Sequence, residues 1–417
     1  MLFLPLIITA LGGFLFIKLG AFPLRHPLKM ARICARGAGR EGFLGLALAL
    51  AGTLGVGNIF GVAISISVGG AGSVLWLFVS GFFAAVIKYA EVLVCVDRRE
   101  SSIGQGGMMY LVAERLRHGR ALGVIYAAVC LALSLTMGAA MQSSAAVSSA
   151  SLICGVKKPL FAAAFMILAF AFIFGRRERI KQITAFLIPL AGVLYIFLTL
   201  AVIFRYYGEI PRVIGEIFAD AFRPRSFVGG VLGYLSASPI VRGYSTGILS
   251  NEAGAGTSSM AHASAEGDPV ASGILGMLEV FCDTALLCTL TAFAILLPSG
   301  DLSGKSAAEL VTSSLAQIFP RSDAILLLSV SAFALATVVC WYFYGTVCMR
   351  YLFGSRGGLA FLALYSLAVV LGAIFDCSVF ASLSDLLLLV LTLLTAPVLI
   401  KSSDRIRYLS EQSGLVN

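Results

Sequence analysis

The side chains best able to do chemistry in this sequence are few, and most stand inside apolar runs. Asn58 lies in GVGNIFG, where its amide adjoins a cluster of glycines and could meet a bound amino acid or ion. Helix N-termini freed at such a cluster can hold a carboxylate. Gln142 is followed by two hydroxyls, Ser143 and Ser144, in an otherwise apolar stretch. Thr337 and Trp341 are four residues apart and therefore share one helical face. Asp283 and Glu91 are the carboxylates nearest the apolar runs, where the cost of a charge makes function or pairing the default reading. Glu91 stands one helical turn from Lys88, which points to a structural ion pair. The stretch SNEAGAGTSSMAHASAEGDP reads as a cytoplasmic loop with a short helix, and His262 within it as a loop histidine. Gly243-Tyr244-Ser245-Thr246-Gly247 fits the pattern of a hydrolase nucleophile, which needs a strand-to-helix elbow and a histidine base. It falls at the end of an apolar span, and His26, His118 and His262 all fall in predicted loops, so the sequence argues against an enzyme.

These residues need a scaffold that tolerates very little water. The 417-residue chain is 59% hydrophobic and 12% charged, with a mean hydropathy of +0.97, against a charged fraction of about 25% in soluble domains. Its apolar runs approach the roughly 20 residues that a helix needs to cross a bilayer, and they lack the alternation of a membrane barrel strand. The first residues lack the basic region of a cleavable signal. The nine cysteines show neither a CxxC pair nor metal-ligand spacing and read as free thiols.

About eleven spans are expected, at 2–20, 43–69, 72–95, 121–150, 159–175, 183–204, 228–250, 270–297, 324–349, 358–376 and 380–400. Alternating sides from the first, most basic residues, from Arg25, Lys29 and Arg32 to Lys401, Arg405 and Arg407, fall on one face. The positive-inside rule then puts the N-terminus outside and the C-terminus in the cytoplasm. The net charge of +9 is thereby explained without nucleic acid. Span two carries Gly45, Gly52, Gly55, Gly57 and Gly61, and span seven Gly233, Pro239 and Gly243. Mid-helix Gly and Pro free backbone groups, which a bilayer allows only where protein or a wet cavity satisfies them again. The two spans lie five apart and cross in opposite senses, as an inverted repeat of five plus five helices requires. Unwinding is expected at Leu54–Asn58 and at Ser236–Gly243. Paired interruptions of this kind mark the midplane site of a secondary transporter; an ion channel lined by broken helices is the alternative.

GVGNIFGVAISISVGGAGSVLWLFVSGFFAAVIKYAE, GILSNEAGAGTSSMAHASA and GMLEVFCDTALLCTLTA carry a more specific signal, joined by GGMMY at 106–110 and WYFYGTVCMRYLFG at 341–354. In these residues the chain resembles the alanine or glycine:cation symporter family. The resemblance implies an all-α membrane fold of the leucine-transporter type, with about eleven helices. One extra helix (1–20) would precede a first repeat over 42–205 and a second over 227–401, with a cytoplasmic tail at 402–417. It implies cation-coupled symport of a small neutral amino acid such as alanine or glycine across the cell membrane. Sodium would be the coupling ion, with proton-coupled or uncoupled transport as alternatives, no other cofactor, and membrane lipid as surroundings. By the same resemblance Gly57, Asn58, Gln142, Thr337 and Trp341 would line the substrate pocket, and Thr337 would give sodium a hydroxyl. Ala336 stands where the family often has Ser, Val56 where it often has Thr, and Thr246 where it often has a basic residue.

Overall fold

The computed structural model describes residues 3–37, 39–98, 106–173, 177–222, 238–265, 267–298, 305–316 and 318–416. Every regular element among them is a helix. Six helices are long and apolar enough to cross a membrane by themselves. In the labels used below they are α5 (Ser73–Asp97), α7 (Gly119–Cys154), α9 (Arg177–Arg205, counted from Ile180), α13 (Pro269–Leu296), α15 (Ser322–Phe353) and α17 (Cys377–Gln412). A seventh span forms if α3 (Gly39–Thr53) is joined to the helical segment Val56–Gly69, two halves that meet at 55°. That second half is a 3-10 turn at Val56–Asn58 followed by α4 (Phe60–Gly69). Three shorter apolar helices, α1 (Phe3–Lys18), α8 (Lys158–Ile173) and α16 (Gly358–Ile374), fall at the predicted first, fifth and tenth spans. The remaining α-helices of five or more residues among the described ones are α2 (Pro27–Gly37), α6 (Met108–Arg115), α10 (Ile210–Ala221), α11 (Pro239–Asn251), α12 (Ser259–Ala263) and α14 (Ala307–Leu315). The chain is a multi-pass membrane protein. Its outward face carries large apolar side chains such as Leu160, Ile167, Phe186, Val193, Phe197 and Leu367, the surface that lipid tails require.

Helix starts follow local chemistry. Ser238 caps α11 by accepting from the Val241 amide, with Pro239 at its first position. Asp268 caps α13 through the Ala271 amide ahead of Pro269. Proline is favoured there because the first amides of a helix have no partner within it.

Span seven departs from expectation, although Ser236 itself lies outside the described residues. From Pro239 the helix runs unbroken through Gly243 to Asn251, and the chain opens only beyond the expected segment, at 252–258, before α12. Pro239 starts the helix instead of breaking it, and Gly243 is there for packing. A Cβ on Gly243 would stand 2.4 Å from the Ser73 carbonyl oxygen and 2.7 Å from Trp76 Cβ, so only glycine lets α11 lie this close to α5. Gly243→Ala is expected to cost about 1–3 kcal/mol through overpacking. A melting temperature in detergent equal to that of the native protein would refute this.

The polar stretch after α11 is likewise no solvated loop. Glu252, Thr257, Ser258, Ser259 and His262 are all buried. Positive φ at Glu252 (55°), Gly254 (90°) and Gly256 (75°) folds this segment back on itself. A polar sequence that satisfies itself inside protein looks the same as one satisfied by water.

Candidate functional site

The first break is held by side chains from three other helices. Helix α3 ends at Thr53, and the Val56 amide donates to Gln142 Oε1 at 3.0 Å. The same amide group of Gln142 is anchored at its other end, where Nε2 donates to the Met137 carbonyl at 3.0 Å. Met137 belongs to a π-helical stretch of α7, Ser134–Met141, that leads directly into Gln142. A Cβ on Gly55 would stand 2.8 Å from Thr337 Oγ1 and 2.9 Å from Gln142 Oε1. Gly55, Gln142 and Thr337 therefore converge on one point. Thr337 Oγ1 itself donates to the Phe333 carbonyl at 2.9 Å, which leaves its lone pairs free to accept.

Trp341 sits one turn further along α15. Its Nε1 donates to the Gly52 carbonyl at 3.2 Å, and its ring packs edge-on to Tyr344 with centroids 5.3 Å apart. It closes the end of α3 as an apolar wall, fully buried.

Asn58 joins the first break to α13. Its Nδ2 donates to Asp283 Oδ1, which also accepts from Ser250 Oγ at 2.8 Å; Asp283 Oδ2 accepts from Ser250 Oγ and from Thr284 Oγ1, at 2.8 and 2.9 Å. Thr284 in turn accepts from Asn251 Nδ2 at 3.0 Å. A buried carboxylate needs such donors to offset its lost hydration. Gly57 lies against the end of α11, where an added Cβ would be 3.6 Å from the Leu249 carbonyl oxygen. The other amide atom of Asn58, Oδ1, is buried with no partner among the described residues.

The predicted residues thus fall into two groups beside one break. Gln142, Thr337 and Trp341 stand on one side, and Gly57 and Asn58 with Asp283 on the other. Sequence reading missed Ser250 and Asn251, which open the SNEAG string taken for a loop, and Thr284, the neighbour of Asp283. The expected Lys88–Glu91 pair also fails: Lys88 Nζ is 3.4 Å from Glu279 Oε1 and donates to Ser258 Oγ at 3.0 Å, and no ion pair within 4 Å joins it to Glu91 among the described residues. His262, read as a loop histidine, has its Nε2 3.5 Å from Glu279 Oε2.

The whole chain is similar to known transporters. It is 32% identical over 388 residues to the uncharacterised transporter YflA of Bacillus subtilis, covering 88% of this chain and 82% of that one. It is 29% identical over 389 residues to the sodium/alanine symporter AgcS of Methanococcus maripaludis, with 89% and 84% covered. A manganese transporter of Eremococcus coleocola, at 14% identity, shares the fold with a TM-score of 0.55 over 84% of this chain and 76% of its own. The description "sodium:alanine symporter family" belongs to the family model that matches residues 1–406. With broken and buried polar elements inside an apolar bundle, and a match of that extent, the chain belongs to the sodium:alanine symporter family.

Proposed function

We propose that the protein is a secondary active transporter that carries a small neutral amino acid, alanine or glycine, together with sodium across the cell membrane. The observation that carries this reading is the unpartnered buried Asn58 Oδ1 beside the first break, an acceptor suited to an ammonium group or a cation. Backbone amides at a break suit a carboxylate, so this reading sets the carboxylate of a zwitterion at the break and its ammonium group at Asn58 Oδ1. In this reading Gln142 fixes the break, Gly57 and Asn58 receive the polar end, and Trp341 bounds a small side chain. The two breaks, near 54–58 and 252–258, are the interrupted helices of inverted repeats over 42–205 and 227–401, with the N-terminus outside. Uptake into proteoliposomes of a panel of amino acids, with and without a sodium gradient, tests the reading. Concentrative, sodium-dependent alanine or glycine uptake supports it. Ion flux with no substrate uptake would make the protein a channel, and uptake driven only by a pH gradient would make the proton its coupling ion.

The sodium step has its own test. Thr337 offers one hydroxyl from α15, and the preceding Ala336, wholly buried, offers a methyl group. A hard cation prefers a full set of oxygens. Weak sodium dependence is therefore expected in the native protein, and Ala336→Ser should tighten sodium binding by about 1 kcal/mol, the scale of one polar contact. The half-saturating sodium concentration decides: equal values for both proteins, or a native value already tight, would mean that another group completes the shell.

A further inference from the structure

A cluster of buried charge lies outside the site just described. Lys88 and Glu91 on α5, Glu252 in the second break, His262 on α12 and Glu279 on α13 are all buried, four of them with no exposure. Three carboxylates face one lysine, and a protonated His262 would still leave one negative charge in excess. The contacts show where that excess falls. Glu279 takes both Lys88, at 3.4 Å, and His262, at 3.5 Å. Glu252 accepts the Thr257 hydroxyl. Of the three carboxylates, Glu91 alone has neither an ion pair nor a side-chain donor among the described residues; it faces the backbone of Gly254 and Gly256 in the second break. Isolated negative charge in such a place costs several kcal/mol.

We propose that Glu91 is a proton-binding site, occupied while the second break is packed over it and vacated when water reaches it. A metal ion is the poorer occupant, because no group of three His, Cys, Asp or Glu among the described residues is arranged to hold one. Binding adds a proton from water to one carboxylate oxygen, and release returns it to water; no other bond changes. The other ionisable groups around the cluster are Cys95 on α5, Tyr126 and Cys130 on α7, Cys282 and Asp283 on α13, and Cys340 and Tyr344 on α15. Tyr126 is committed as a donor to the Ala255 carbonyl, at 2.6 Å, and Asp283 to its three donors. Gly254 and Gly256, both in left-handed conformations, tie the ionisation of Glu91 to the shape of the break.

The coupling to transport rests on the reading above: substrate binding seals the breaks and so favours the neutral acid. The test is calorimetry of alanine binding to the full-length purified protein, in sodium buffers of different ionisation enthalpy. Native protein is expected to take up a proton as alanine binds, and its affinity for alanine should weaken by up to about tenfold per pH unit on the alkaline side. Glu91→Gln, which copies the neutral acid, should bind alanine with no linked proton and no such slope. Equal proton uptake in both proteins, or none in the native protein, overturns the proposal; the native result alone suffices if the variant fails to fold. If alanine gives no binding heat in any buffer, the transport reading fails instead. Infrared spectra of ligand-free protein then decide the proton site: the native protein must show an un-ionised carboxyl band that titrates and is absent from Glu91→Gln, and its persistence in the variant overturns the proposal.

Discussion

Lys88→Met is expected to lower stability by about 3–5 kcal/mol, the usual cost of leaving one member of a buried ion pair alone. Lys88 has no exposure and is the lysine that meets Glu279. Its methylene stem could be replaced by methionine with little change of volume, so the loss isolates the charge. Without it, Glu279 keeps only His262, and the Ser258 hydroxyl loses its donor. The measurement is the yield and melting temperature of protein extracted in mild detergent. Glu279→Gln combined with Lys88→Met removes both charges and is expected to recover much of the loss. A single variant that melts like the native protein would show that water reaches this pair.

Gln142→Ala is expected to weaken alanine binding about five- to a hundred-fold while leaving the protein folded. The substitution strands two buried backbone groups, the Val56 amide and the Met137 carbonyl, and an unpaired buried polar group costs about 1–3 kcal/mol. Both groups border the first break, so the cost falls on the geometry that receives substrate. Half-saturating alanine concentrations for uptake, compared at saturating sodium, provide the check. Unchanged affinity with a lowered melting temperature would reduce Gln142 to a packing residue.

Much of this arrangement is legible in the sequence wherever glycine density coincides with an apolar run. Gly55 and Gly57 mark the first break because glycines crowd into a few residues of one apolar run, although Gly55 is also demanded by the close approach of Thr337 and Gln142. Gly243 misleads for the same physical reason that makes glycine useful: the residue serves both to bend a chain and to let two helices touch, and only the neighbour at 2.4 Å tells which. Pro239 misleads because proline both ends a helix and begins one. The second break is hidden in SNEAGAG, where polarity suggested water. Pairing of charges is the least legible feature. The three-residue spacing of Lys88 and Glu91 invited an ion pair, but Lys88 reaches instead to Glu279, which is far along the chain and invisible to local spacing. Asp283 was visible as a costly charge; its partners Asn58 and Ser250 lie on other elements, and only the fold brings them to it.

Two of the long helices contain π-helical stretches, Ser134–Met141 in α7 and Phe281–Cys288 in α13. A π turn is what one inserted residue leaves behind in an α-helix, and such turns are frequent at functional sites. Elsewhere in a helix, deleting one residue turns everything after it by about 100° and would scatter the side chains that follow. Within these stretches a single deletion can be absorbed by tightening π to α, with the flanking turns keeping their faces. Length differences of one residue among members of the family should therefore collect in these two segments, and any register assigned by ungapped alignment across Gln142 or Asp283 will be wrong by one position in members that lack the extra residue.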